Sequence, residues 1–127
     1  MKRLYSSIFL FILANITIFY FALIKPEGSL KVISGGYHMH FIVFFGLSFI
    51  LSLILVHEKI NLPAPFTLSF LYSFFIAFVI EILQLQTTYR SFSYNDVLIG
   101  CFGALCYSII GMISYNSNLF HKYWIKV

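Results

Sequence analysis

Four long apolar stretches alternate along the chain with short polar punctuation. Taking charges, Pro and Gly as breaks, the apolar runs cover residues 4–24, 37–56, 66–86 and 95–115. Each is about 20 residues long. At a rise of about 1.5 Å per residue that makes a helix of about 30 Å, the thickness of a bilayer's hydrocarbon core. A helix satisfies its own backbone polar groups in lipid, whereas an open sheet edge cannot. The ten-residue alternation of a membrane barrel is absent. The pattern therefore predicts an all-α integral membrane protein, a bundle of four transmembrane helices with short loops in a single domain over 1–127. Pro26 and Gly28 end the first run, Gly35 and Gly36 precede the second, and Pro63 and Pro65 introduce the third.

Composition agrees with the pattern. The chain is 61% hydrophobic and 9% charged, with a mean hydropathy of +0.93, against about a quarter charged in an ordinary globular chain. So few polar groups cannot cover a soluble surface, which excludes a cytosolic enzyme and a disordered chain. The net charge of +4 is scattered rather than gathered on one face, as a nucleic-acid surface requires, so no nucleic-acid partner is expected. Most basic residues flank apolar runs, where they anchor helices at the headgroups. Tyr123 and Trp124, between Lys122 and Lys126, have the composition of an interfacial anchor. Met1-Lys2-Arg3 has the form of a signal-peptide start. Its apolar run is too long for one and no cleavage site follows, so an uncleaved first helix is expected.

Positively charged loops stay inside. Lys2, Arg3, Lys59, Lys122 and Lys126 lie on one side of the predicted bundle, and Lys25, Lys31 and Arg90 on the other. The balance predicts a multi-pass protein of the cell membrane with both termini cytoplasmic and the 25–36 and 87–94 loops outside.

Two formally charged residues fall within the runs, Glu81 and Asp96. An ionisable group at the centre of a membrane helix costs about 2.5–3.5 kcal/mol on insertion scales and normally faces protein or water. Glu81 is expected about five residues before the end of the third run, with Gln84 on the same helical face at i+3. Arg90 follows in the short loop, Asp96 opens the fourth run, and His40 lies one turn into the second. Antiparallel threading brings these ends to one membrane face, so His40, Glu81, Gln84, Arg90 and Asp96 are expected to converge. A buried carboxylate there must take up a proton or find a cation, and His40 and Arg90 are placed by short connections to supply one within about 4 Å, directly or through a bridging water or ligand.

These residues also carry a family resemblance. His40-Phe41 and the apolar residues after them resemble the first motif of VanZ-like membrane proteins, an Asp-Lys-x-x-His-Phe run entering a helix. Glu81-x-x-Gln84, then Arg90, Asp96 and Gly103, resemble the second. The similarity covers about residues 36–107. Gly36 and Tyr37 stand where the family usually has Asp and Lys, Gly100 where it usually has Asn, and Phe44 at a common Tyr. The resemblance implies a small envelope protein, its namesake being associated with resistance to the glycopeptide teicoplanin. The expected partners are membrane lipids or a lipid-linked envelope precursor, engaged by Gln84, Arg90 and Asp96, with His40 and Glu81 as an acid–base pair if there is chemistry.

Simpler roles stand beside these. Ser93-x-x-Asp96 has the form of a helix capping box. Arg90 can hold phospholipid headgroups, Gln84 can hydrogen-bond between helices, and His40 can be a satisfied interface histidine. In that reading the protein is a non-catalytic scaffold whose cluster only locks the helices. His38 and His40 with Glu81 and Asp96 offer zinc-type ligands. Residues two apart on a helix, however, point about 200° from each other, so neither a metal site nor a cofactor is expected. Cys101 and Cys106 show neither a disulfide nor a zinc spacing and read as packing residues. Neither a nucleophile elbow nor a phosphate-binding loop occurs. Gly100, Ala104 and Ser108, with Gly103 and Gly111, form a stripe of small residues suited to close packing within the bundle.

Overall fold

The structure, a computed structural model, describes residues 2–25, 36–58 and 60–117. Among these residues the regular secondary structure is all helical: α1 Lys2–Leu23, α2 Tyr37–His57, α3 Ala64–Gln84 and α4 Tyr94–Asn116. Each helix contains a stretch long and apolar enough to cross a membrane, namely Leu4–Leu23, Tyr37–His57, Ala64–Gln84 and Tyr94–Tyr115. The fold is that of a four-helix membrane bundle. Pro26, Gly28, Gly35 and the Tyr123–Trp124 anchor lie outside the described residues, as do Lys31, Lys59, Lys122 and Lys126.

The third helix is shifted relative to the hydropathy pattern. It starts at Ala64 rather than residue 66, because Pro65 falls in the first turn, where no backbone N–H is required. It ends at Gln84 rather than residue 86. The Gln86 and Thr87 N–H groups bond to the carbonyls of Leu83 and Gln84, tightening the chain into a turn, and Thr87 Oγ1 also bonds to the Gln84 carbonyl at 2.7 Å. Glu81 therefore sits three residues from the helix end instead of five, roughly 4.5 Å inside it.

Burial is the reverse of a water-soluble protein. Large apolar side chains such as Leu71, Phe75, Leu98 and Ile113 point outward, while Ser48, Ser52, Ser69 and Ser73 are fully buried. Between membrane helices apolar contact gives no net drive, because lipid is equally apolar. Small residues and interhelical hydrogen bonds hold such bundles together instead. Here Ser48 and Ser73 share a hydrogen bond of 2.8 Å between α2 and α3, the Ser52 and Tyr107 hydroxyls pair between α2 and α4, and Ser108 Oγ donates to the Phe66 carbonyl at 3.1 Å, joining α4 to α3.

The small stripe of α4 faces into the bundle. Gly100, Gly103, Ala104, Ser108 and Gly111 are all buried. A Cβ at Gly100 would stand 2.7 Å from the Phe44 ring, one at Gly103 would meet the Phe41 carbonyl, and one at Gly111 would stand 2.6 Å from Phe66. Cys101 and Cys106 are free and half-buried, as packing residues would be. Helices α2, α3 and α4 thus form a tight trio, completed by Leu47, Ile76, Ala77, Ile80 and Ala104. Helix α1 leans on α2 and α3 from outside. It is held by the Phe11–Tyr72 ring contact (centroids 5.3 Å apart) and by the Tyr72 hydroxyl donating to Asn15 Oδ1 at 2.8 Å.

Candidate functional site

Helix ends build the site. His40 comes from the first turn of α2, Glu81 and Gln84 from the last turn of α3, Arg90 and Ser93 from the connection, and Asp96 from the first turn of α4. The threading brings all of them to one end of the bundle. One ligand atom each from His40, Glu81 and Asp96 lies within 4.8 Å of the others, and His40 Nε2 is 3.7 Å from Asp96 Oδ2. Glu81 is only 1% exposed.

The pairing within the cluster differs from the expectation of a direct contact between Glu81 and His40 or Arg90 within about 4 Å, although a Glu81 oxygen lies within 4.8 Å of His40. Among the described residues no ion pair within 4.0 Å joins Glu81 to either. Its Oε2 instead accepts a hydrogen bond from the Ser93 backbone N–H at 2.9 Å, and its Oε1 is buried with no hydrogen-bond partner. The cause lies in the start of α4. Ser93 caps that helix by accepting from the Asp96 N–H at 3.3 Å, which is the first half of the capping box. In a full box the Asp96 side chain would return to the Ser93 N–H. Glu81 has taken that donor, and the Asp96 carboxylate is free to face His40.

Gln84 and Arg90 reach the same end of the bundle but turn toward α1. The last carbonyls of a helix have no partner within it. Those of Phe21, Ala22 and Leu23 are met by Arg90 Nη2 at 3.5 Å, Gln84 Nε2 at 3.1 Å and the Tyr89 hydroxyl, respectively. A cation at a helix C-terminus is also favoured by the helix dipole. Arg90 Nε is buried without a hydrogen-bond partner, so the guanidinium, with five donors, is not used up by this contact.

Beside the cluster lies a cavity of about 250 Å³ between α1, α2 and α3. Its walls are apolar, including Ile18, Phe21, Val43, Phe44 and Ala77, and its polar groups include His40, Gln84 and Arg90. Sequence reasoning found His40, Gln84 and Arg90 but not the cavity, nor the Ser93 N–H and Tyr89 hydroxyl that position the groups around it. The serine was visible as a cap; what its N–H would hold was not.

A family model described as VanZ/LLP1 matches residues 4–115, nearly the whole chain. No curated protein and no solved structure matches.

Proposed function

We propose, for a chain that belongs to the VanZ/LLP1 family, that this membrane protein binds an anionic amphiphile of the cell envelope in the cavity between α1, α2 and α3. The observation that carries the proposal is the cavity's division into two chemistries. Its apolar walls suit a hydrocarbon chain, and Arg90, His40 and Gln84 suit the headgroup to which that chain is attached. Arg90 is the anchor, because a guanidinium pairs with phosphate or carboxylate through charge-assisted, often bidentate, hydrogen bonds. Gln84 and Asp96 orient the head. A lipid-linked envelope precursor has this chemistry, and that is the level at which the glycopeptide resistance associated with the family's namesake bears on the chain. The proposal places the cluster on the outer face of the cell membrane, with both termini in the cytoplasm.

The test is titration of delipidated, detergent-solubilised protein with a phosphate-headed lipid and with a choline-headed lipid of equal chain length. Wild type should prefer the phosphate head, and Arg90→Ala should lose that preference. A hydrogen bond to a charged group is worth about 1.5–3 kcal/mol, so the loss should be about tenfold or more. Equal affinity of wild type for both lipids overturns the proposal.

A second reading is favoured by one specific observation, the capping of the α1 carbonyls by Gln84, Tyr89 and Arg90. In a scaffold whose polar groups only lock the helices, Arg90→Ala would lower stability and leave lipid preference unchanged.

A further inference from the structure

Three residue types that bind metals converge from three different helices, and capping geometry explains only part of their arrangement. We propose that His40, Glu81 and Asp96 form a binding site for a divalent transition-metal cation of the zinc class. Zinc accepts His nitrogen at about 2.0–2.1 Å and carboxylate oxygen at about 2.0–2.2 Å in tetrahedral geometry. Ligand atoms at those distances stand roughly 3.3–3.6 Å from one another. His40 and Asp96 are already 3.7 Å apart, and all three ligand atoms lie within 4.8 Å of each other. Closing on a cation therefore takes about 1 Å of further approach between the ligand atoms.

An independent observation is the second oxygen of Glu81. The residue is 1% exposed, and Oε1 is buried with no hydrogen-bond partner, while Oε2 is held by the Ser93 N–H. A buried carboxylate oxygen left without a partner is expensive. Two carboxylates, Glu81 and Asp96, share this end of the bundle, and among the described residues the nearby Arg90 makes no ion pair within 4.0 Å with either. A dication satisfies the orphaned oxygen and neutralises both carboxylates together.

The surroundings suit ligation. Ser93 orients two of the three ligands, Glu81 through its N–H and Asp96 through the α4 cap, as outer partners of metal ligands commonly do. An imidazole among the donors disfavours magnesium and calcium, which take oxygen. The objection that His38 and His40 point apart does not touch this set. His38 is exposed, and the third ligand comes from α4 rather than from a second histidine. Protein ligands number three, so a coordination position remains for a ligand from outside. This deepens the amphiphile reading, since an anionic headgroup can occupy that position; the last step rests on that reading, whereas cation binding does not.

The experiment uses untagged, chelator-treated protein in detergent. It is titrated with Co²⁺ while visible absorption is followed, and with Zn²⁺ by equilibrium dialysis. One cation per chain is expected, with the intensified visible bands of cobalt in a low-symmetry N/O site. His40→Ala and Asp96→Asn should each weaken binding about tenfold or more, since even outer partners cost about 10–100-fold, and His38→Ala should leave it unchanged. Asp96→Asn keeps the backbone N–H that Ser93 caps, so it tests the ligand without removing the cap. Monodisperse wild type that binds no stoichiometric cation overturns the inference, as does binding that survives His40→Ala. If the cation is absent while the phosphate preference persists, only this inference falls. A bound cation without lipid preference upholds the metal site and overturns the amphiphile reading.

Discussion

The same substitution at two glycines should have different effects, and the structure supplies the reason. At Gly103 on α4, an added Cβ would lie 3.0 Å from both the carbonyl carbon and Cα of Phe41, with the carbonyl oxygen closer still. Carbon atoms are best separated by about 3.5–4.0 Å, so α2 and α4 must part by roughly 0.5–1 Å. The obstacle is α2 backbone, which has no rotamer with which to yield. Overpacking of this kind costs about 1–3 kcal/mol. At Gly46, in the middle of α2, an added Cβ meets nothing within 4 Å, and replacing Gly with Ala inside a helix gains up to about 1 kcal/mol. Gly103→Ala should lower the midpoint of SDS-induced unfolding, and Gly46→Ala should leave it unchanged or raise it. Separation of α4 from α2 also moves Asp96 away from His40, so Gly103→Ala should weaken Co²⁺ binding, a readout that Gly46→Ala leaves alone. A Gly103→Ala protein as stable as wild type would refute the close approach of these helices.

Three further outcomes are expected. A double-mutant cycle on Ser52→Ala and Tyr107→Phe, read by SDS titration, should show a coupling of about 0.6 kcal/mol and no more than about 1.7; zero coupling would mean that the two hydroxyls do not pair in the folded protein. Gln84→Leu combined with Tyr89→Phe should speed hydrogen exchange in the last turn of α1 while α2, α3 and α4 stay protected, because the α1 span is only 6% buried against 39% for α3; uniform loss of protection would show that α1 is no separable layer. A Ser91→Cys variant lacking Cys101 and Cys106 should react with an impermeant reagent in intact cells, and labelling only after permeabilisation would reverse the orientation while leaving the cluster's geometry as it is.

The four helices were legible because a bilayer demands length and apolarity together, and the runs supply both. Convergence of His40, Glu81 and Asp96 was legible too, since antiparallel threading leaves the ends of α2, α3 and α4 no other place to meet. The pairing inside the cluster was not. It depends on one backbone N–H, that of Ser93, which local pattern assigns to Asp96 and tertiary packing gives to Glu81. The contact between Arg90 and α1 was hidden for a related reason. The Arg90 Nη2 meets the Phe21 carbonyl, and no pattern within the α3–α4 connection shows that the end of α1 will lie beside it. The cavity was hidden by the same gap, because it exists only where α1 leans on α2 and α3. The two-residue shift at the end of α3 belongs to the turn at Leu85–Thr87, whose hydrogen bonds are set by loop geometry rather than hydropathy.

The central claim is that the cavity between α1, α2 and α3 holds an anionic amphiphile, and filling it from the lipid side tests that most directly. Thr17 is exposed and lines the cavity from α1; Thr17→Trp fills space in the cavity and leaves His40, Gln84 and Arg90 themselves unsubstituted. Ile16→Trp, at a neighbouring exposed position outside the cavity lining, is the matched control. Native mass spectrometry of protein released from its own membranes should find an anionic lipid bound to wild type and to Ile16→Trp, and lost from Thr17→Trp while that variant stays folded. Retention of the same lipid by Thr17→Trp would contradict the account.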